Sequence, residues 1–317
     1  MKKIICIITA ALMTVSLLGG CGSSSSSTTA STDTATEAPA QTQAAAAAED
    51  SAADEAEAVS LGYITVVSRE EGSGTRGAFV ELMGIEDADG NDATTMEAEI
   101  SNSTSVVMST VAGNAAAIGY VSLGSLSDTV KSVSMDGVEA TVDNIKAGSY
   151  AVSRPFEICY KEENLTDLGR DFISYIMSAE GQAIIAEEGY IAVDESAESY
   201  TGSGMSGTLS LNGSTSVSPV MEVLAEAYRE INPNVTIDIQ QTGSGSGITA
   251  TIDGSTEIGM SSRELKDTEL AEGLTEMQIA LDGIAVIVNN ENPVENLTSE
   301  QICRIFLGEV TDWSEIG

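Results

Sequence analysis

One pattern constrains this chain more than any other: an apolar, β-branched run feeds a turn of glycine and hydroxyl residues, and the turn opens a helix. In its first occurrence Tyr63-Ile64-Thr65-Val66-Val67 runs into Ser68-Arg69-Glu70-Glu71-Gly72-Ser73-Gly74-Thr75-Arg76-Gly77. A short helix follows over Ala78 to Met83 and stops at Gly84. The pattern returns at Thr208-Leu209-Ser210-Leu211 with the turn Asn212-Gly213-Ser214-Thr215-Ser216-Val217, where Ser218-Pro219 is expected to cap and open a helix. It returns again at Val235 to Ile239 with Gln240 to Gly247, and at Ile258-Gly259-Met260 with Ser261-Ser262-Arg263. Such turns present unpaired helix amides flanked by hydroxyls, and an arginine can fork two bonds to one oxyanion. Each alone is a weak signal. Together they predict an α/β protein whose ligand, a small tetrahedral anion, sits at the carboxyl ends of strands.

The rest of the chain fits that class. Ser103 to Val111 has helical spacing, and residues 115–121 read as a buried strand. Val133 to Val142 is expected to be a strand pair around Asp136-Gly137. Residues 150–160 form a long extended run whose Pro155 argues for an edge or crossing strand. Leu168 to Glu188 predicts one helix, with Gly181 as a possible break. In the later helix Val220, Val223, Leu224, Ala227 and Tyr228 make the apolar stripe. Ile279 to Asn289 is a long apolar strand, and Thr298 with Gln301 makes a capping box stapled by Leu297 and Ile302.

The two ends of the composition bound the function. Residues 1–20 carry Lys2 and Lys3 before an apolar run too short for a comfortable membrane span, which reads as a targeting segment. Its end, Leu18-Gly19-Gly20-Cys21, resembles the lipobox of bacterial lipoproteins, which implies that Cys21 carries lipid and places the protein on the outer face of the cell membrane; an ordinary signal peptide is the alternative. Residues 21–60 are Ser, Thr, Ala, Gln and acids, the composition of a disordered tether. The folded part begins near Leu61.

Lys and Arg number 13 against 49 acids, a net charge of −36, so nucleic acid and anionic membrane surfaces are poor partners. Screening confines that field to about 8 Å at physiological salt, so local dipoles decide whether an anion binds. No histidine occurs, which excludes Ser-His-Asp and Cys-His catalysis and any His-ligated metal. No cofactor, metal or catalytic residue is expected. Cys159 and Cys303 stand inside apolar runs and read as free thiols, a disulfide being the alternative. Gly72-x-Gly74-x-x-Gly77 formally matches a dinucleotide fingerprint, but Glu70 and Glu71 would put two carboxylates beside a pyrophosphate. A lipid-anchored adhesin or scaffold is a third reading.

Read jointly, Arg69 to Arg76, Gly213-Ser214-Thr215-Ser216, Gly243-Ser244-Gly245-Ser246-Gly247, Ser261-Ser262-Arg263, Ile305-Phe306-Leu307-Gly308 and Thr311-Asp312-Trp313 resemble the PstS family. These are the phosphate-binding proteins of bacterial ABC phosphate importers, with a two-lobed periplasmic-binding-protein-like fold (type II). The resemblance implies that inorganic phosphate is held by Arg69, Ser73, Gly74 and Thr75 from one lobe and by Thr215, Ser216 and Ser244 from the other. It further implies permease subunits as partners and a monomer. Sulfate, molybdate or another oxyanion is the alternative ligand, and a sensor or scavenger without a transporter the alternative role. Arg76 and Arg263 are read as ion-paired rather than ligating, and a salt bridge to Glu70 or Glu71 is the competing role for Arg69.

Two departures stand out. Ser262 occupies a position where many members place an Asp that accepts the ligand's proton, which puts discrimination of phosphate from sulfate in doubt. The order of segments also differs, because the arginine loop precedes the Gly-Ser-Thr-Ser turn. A circular permutation accounts for this, with residues 194–207 as the joining linker; a truncated tandem of half-copies is the alternative. The permuted reading makes residues 61–154 plus 282–317 one lobe and residues 155–281 the other.

Overall fold

The computed structural model describes residues 61–202 and 204–316. The targeting segment, Cys21 and the tether lie outside the described residues. Among those described, no helix is long and apolar enough to cross a membrane.

Strand β1 (Thr65–Arg69) leads through the first turn into α1 (Gly74–Met83). The helix begins four residues earlier than the sequence suggests. Ser73 is its N-cap and accepts from the Arg76 amide, which draws Gly74 and Thr75 into the first helical turn. Gly84 closes it in the left-handed conformation, as its position predicts. Then come β2 (Glu99–Ser101), α2 (Thr104–Ala112), β3 (Ala117–Ser122), β4 (Val130–Ser132) and β5 (Ser134–Met135).

The expected strand pair over Val133 to Val142 does not form. Asp136 and Gly137 do make a left-handed turn, but across it only Met135 and Val138 bridge. Thr141 then caps α3 (Val142–Lys146), which leaves no room for a second strand. β6 (Ser153–Tyr160) is paired on both sides inside the sheet, so it is not the edge strand that Pro155 argued for. The proline lies opposite Leu281, short of the stretch from Glu157 to Cys159 that pairs on the strand's other side, so its missing N–H interrupts no ladder there.

The single helix expected over 168–188 is two, α4 (Asp167–Ile176) and α5 (Ala179–Glu187). The break falls at Met177-Ser178, where Ser178 caps α5. Gly181 is not the breaker; a side chain there would meet the Tyr175 carbonyl oxygen at 2.3 Å, so the glycine lets the two helices pack. β7 (Ile191–Ala192) follows.

The stretch 194–207 is less of a linker than its composition suggests. Tyr200 packs edge-on to Tyr175 at 5.2 Å and its hydroxyl donates to Asp171. β8 (Ser206–Gly213) already begins within it. α6 (Ser218–Ile231) follows, then β9 (Asn234–Gln241), α7 (Ser244–Ile252), β10 (Ile258–Ser261) and α8 (Asp267–Leu270). Ser218 is not the cap of α6. Ser214 supplies that service, accepting from the amides of Ser216 and Val217, while Ser218 donates back to the Ser214 carbonyl. The chain closes with β11 (Thr275–Asn289), β12 (Asn296–Leu297) and α9 (Ser299–Phe306), whose capping box at Thr298 and Gln301 is as read from the sequence.

The sheet order is β2-β1-β3-β11-β6-β10-β8-β9. β1, β2 and β3 are parallel, as are β8, β9 and β10. The 15-residue β11 joins the two triplets: Ile284 to Val288 pair with β3, and Thr275 to Gly283 pair with β6. The core divides accordingly. One cluster gathers Val67, Phe79, Ile118, Tyr120, Val286 and Phe306, with Phe79 stacked on Tyr120 at 4.0 Å. A second gathers Phe156, Phe172, Leu209, Leu224, Tyr228 and Ile258, and a third, smaller one gathers Cys159, Ile248, Leu265 and Leu274. This is a mixed α/β, two-lobed fold in which each lobe points its parallel strands at the junction.

The beginning and end of the described chain are neighbours. Tyr63 bridges Asp312, the Ile64 amide donates to the Thr311 carbonyl at 2.8 Å, and the Trp313 amide donates to the Gly62 carbonyl at 3.0 Å. Cys159 and Cys303 are free thiols, and burial pushes the Cys159 thiol up to about 12.

Candidate functional site

Four helix N-termini meet where the two lobes touch: those of α1 and α2 from the first lobe, and those of α6 and α7 from the second. Each follows the carboxyl end of a parallel strand, and each arrives with hydroxyl side chains. Convergence of this kind gathers partial positive charge and free donors at one place.

From the first lobe comes Arg69, the last residue of β1 and only 2% exposed. Its Nε and Nη2 both bond the Glu70 carboxylate at 2.8 Å, so the salt bridge weighed against a binding role does form. That bridge does not exhaust the guanidinium. Nη2 also donates across the junction to Thr215 Oγ1 at 3.0 Å, and Nη1 reaches Thr104 Oγ1 at 3.4 Å. Arg76 serves the loop instead, bonding Asp92 at 2.6 Å and the Arg69 carbonyl at 2.8 Å. The Asp92 carboxyl is held below its ordinary value by Arg76 and the Thr94 donors, against the opposing push of burial.

From the second lobe come Thr215 and Ser216 at the head of α6, Ser244 at the head of α7, and Ser262 just past β10. Ser244 and Ser262 share hydroxyl contact at 3.3 Å, and the Ser262 amide donates to Ser244 Oγ at 3.2 Å. Arg263 turns away to Glu269, at 2.7 and 2.9 Å, as expected of a structural pair.

The two sets interlock. Thr75 Oγ1 lies 2.9 Å from Ser216 Oγ. The Gly245 amide donates to the Gly72 carbonyl at 3.0 Å. A side chain at Gly74 would meet Ser244 Oγ at 2.6 Å and Ser262 Oγ at 2.7 Å, so only glycine lets the first loop approach this closely. Arg69, Ser73, Gly74, Thr75, Thr215, Ser216, Ser244 and Ser262 are therefore brought together and buried. The Ser73 oxygen is engaged within its own loop, as the cap of α1.

Sequence reading missed Thr104. It is 4% exposed, heads α2, and bonds Arg69, Thr215 (3.3 Å) and Ser216 (3.2 Å). The signal was available: Ser101-Asn102-Ser103-Thr104 is a fifth strand-to-helix turn rich in hydroxyls. Its strand, β2, is only three residues long and too polar to announce itself.

The dinucleotide reading loses its footing here. A side chain at Gly77 would have ordinary contact only, the nearest atom being Arg263 Cδ at 3.9 Å, so the fingerprint's third glycine is not required. The space in front of Gly74 belongs to the hydroxyls of the other lobe. Among the described residues there is no cluster of three metal-ligating side chains.

This geometry is that of the two-lobed solute-binding proteins. A family described as the PBP superfamily domain matches residues 57–180 and 198–317. The chain is 48% identical over 268 residues to the phosphate-binding protein PstS 2 of Streptococcus agalactiae serotype V, covering 83% of this chain and 91% of that protein. A crystal structure of the phosphate-binding protein of a phosphate ABC transporter from Streptococcus pneumoniae TIGR4 superimposes with a TM-score of 0.65 at 49% identity, over 81% of this chain and 100% of that one. The PstS protein of Bacillus subtilis aligns over 35% of this chain and 38% of its own length, at 33% identity. The chain belongs to the PstS family of phosphate-binding proteins.

Proposed function

We propose that this protein captures inorganic phosphate at the junction of its lobes, as the phosphate-binding protein of an ABC phosphate transporter. PstS-type proteins are extracytoplasmic and are not enzymes. The observation that carries the reading is the convergence of a buried arginine and hydroxyls from both lobes on four helix N-termini. Taking a dianion out of water is costly unless donors replace its hydration. Arg69, the hydroxyls of Thr75, Thr104, Thr215, Ser216, Ser244 and Ser262, and the amides around Gly74 are the donors we assign to that task. Charge-assisted bonds contribute roughly 1.5–3 kcal/mol each, so a handful suffices for micromolar affinity or better. Because the donors belong to two lobes, the ligand favours the state in which they meet and shifts the population by hinge closure.

We assign residues 61–154 with 282–317 to one lobe and 155–281 to the other, the chain crossing at Ser153-Arg154 and Asp282-Gly283. We read the order of segments as a circular permutation, a reading supported by the hydrogen-bonded neighbours Gly62 and Trp313 and by the family match in two separate stretches. Lipid attachment at Cys21, delivery to permease subunits and a monomeric state complete the proposal.

Calorimetric titration with phosphate and sulfate at pH about 6 and about 8 tests it. Phosphate is expected to bind at micromolar or lower concentration and more tightly than sulfate at both pH values. Sulfate binding as tight as phosphate would replace the phosphate reading with a general oxyanion site.

A further inference from the structure

A cleft of about 220 Å³ opens directly beside the hydroxyl cluster. Thr104 and Thr215 line both, so the cleft is an extension of the site rather than a separate cavity. Its other walls include Ser105 and Met108 from α2, Pro219 from α6 and Gln241 at the end of β9. Met108 and Pro219 give it an apolar side against which a small hydrocarbon group can lie. A water molecule's share of liquid volume is about 30 Å³, so the space holds several groups of methyl size.

A second observation concerns the donors. The ligand-facing groups are hydroxyls, amides and a guanidinium. Glu70, the carboxylate in the first loop that bonds Arg69, has both oxygens committed to it. A protonated ligand oxygen therefore meets no free anionic acceptor among the residues we assign to the site, and its hydroxyl is held by neutral partners. Exchanging P–OH for P–C removes one neutral hydrogen bond, a loss of about tenfold in affinity, and leaves the three charged oxygens in place.

We propose that the site also accepts short monoalkyl phosphonates, with the alkyl group directed past Thr104 and Thr215 into this cleft. The inference rests on the phosphate reading of the same site and widens its ligand class from inorganic phosphate to tetrahedral phosphorus dianions carrying one small substituent.

The test is calorimetry on the full chain at pH about 8, first with phosphate, then with methylphosphonate, then with methanesulfonate as a monoanionic control. Methylphosphonate is expected to bind within about a hundredfold of phosphate and to be displaced by it, while methanesulfonate gives no competition. Ser105→Phe, at an exposed position on the cleft wall, is expected to weaken methylphosphonate at least tenfold and to leave phosphate within twofold. Met108→Trp, which fills the apolar side, is a second variant with the same expected split. Phosphate binding without methylphosphonate binding at a thousandfold higher concentration overturns the inference alone. So does methylphosphonate binding that both variants leave unchanged. Absence of phosphate binding in the first titration overturns the functional reading and this inference with it.

Discussion

Two arginines are buried in this molecule beside a carboxylate, and they do opposite work. Arg69 is paired with Glu70, its neighbour in sequence, whose side chain keeps 23% exposure. Because that partner comes from the same loop, the pair travels with one lobe and leaves guanidinium N–H groups free to reach Thr104 in its own lobe and Thr215 across the junction. Arg154 is paired with Asp282 at 3.1 Å, from the other crossing strand, and both side chains are sealed at 1% and 0% exposure. Ser122 donates to the second carboxylate oxygen at 2.9 Å, and the guanidinium lies 5.4 Å from the Phe156 ring. Burial pushes the Asp282 carboxyl up from its ordinary value while Arg154 and Ser122 pull against it. The Arg69 pair is drawn from one loop, whereas the Arg154 pair ties β6 to β11, the two strands we assign as the crossings between lobes.

The comparison breaks most visibly at Arg154. Removing one partner of a sealed pair leaves an uncompensated charge, at a cost of about 3–5 kcal/mol, whereas replacing both with apolar groups is often close to neutral. Arg154→Met is therefore expected to lower urea stability by that amount, and Arg154→Met with Asp282→Leu to recover most of it. A single variant within about 1 kcal/mol of the parent would show that the hinge pair holds nothing.

Arg69 is expected to answer in affinity rather than stability. Arg69→Ala removes a charge-assisted donor worth roughly 1.5–3 kcal/mol and leaves Glu70 facing the anion. Phosphate affinity measured by calorimetry is expected to fall ten- to a hundredfold or more. A change within twofold means that Arg69 is only the salt bridge its neighbour suggests, and that the site lies elsewhere.

These two roles were unequally legible in the sequence. The binding half announces itself because its chemistry is local: β-branched runs, glycine turns, hydroxyls and helix starts lie within ten residues of one another, and the family resemblance rests on those same segments. Thr104 escaped because its strand is short and polar. The hinge pair was invisible because Arg154 and Asp282 are far apart in sequence and meet only through the pairing of β6 with β11. The misread elements have the same cause. Ser178 outcompeted Gly181 as the break between α4 and α5, and Thr141 ended the supposed strand pair; in both cases a hydroxyl cap decided what glycine and β-branched content suggested otherwise.

A third buried site sharpens the contrast, because among the described residues its carboxylate forms no ion pair. Glu157 lies on β6 opposite Ser261 and Gln278, is 5% exposed, and has one carboxylate oxygen without a partner. Burial, reinforced by Glu276 and Glu264, pushes its carboxyl up to about 8. In the unfolded chain the same group titrates near its ordinary value of about 4.3. Between those two values the unfolded chain releases a proton that the folded chain keeps, so this group's contribution to stability falls as pH rises and levels off above about 8. Glu157→Gln removes the titration. Stability measured by urea unfolding across pH about 5 to 9 is expected to differ little between parent and variant at the acid end, with the variant gaining on the order of 1–2 kcal/mol by pH about 8. The parent-minus-variant difference isolates Glu157 from carboxyls such as Asp92 and Glu269, whose lowered values act in the opposite direction. Superimposable profiles would show that Glu157 is solvated well enough to ionise normally, leaving Arg154 and Asp282 as the buried charges whose environment matters.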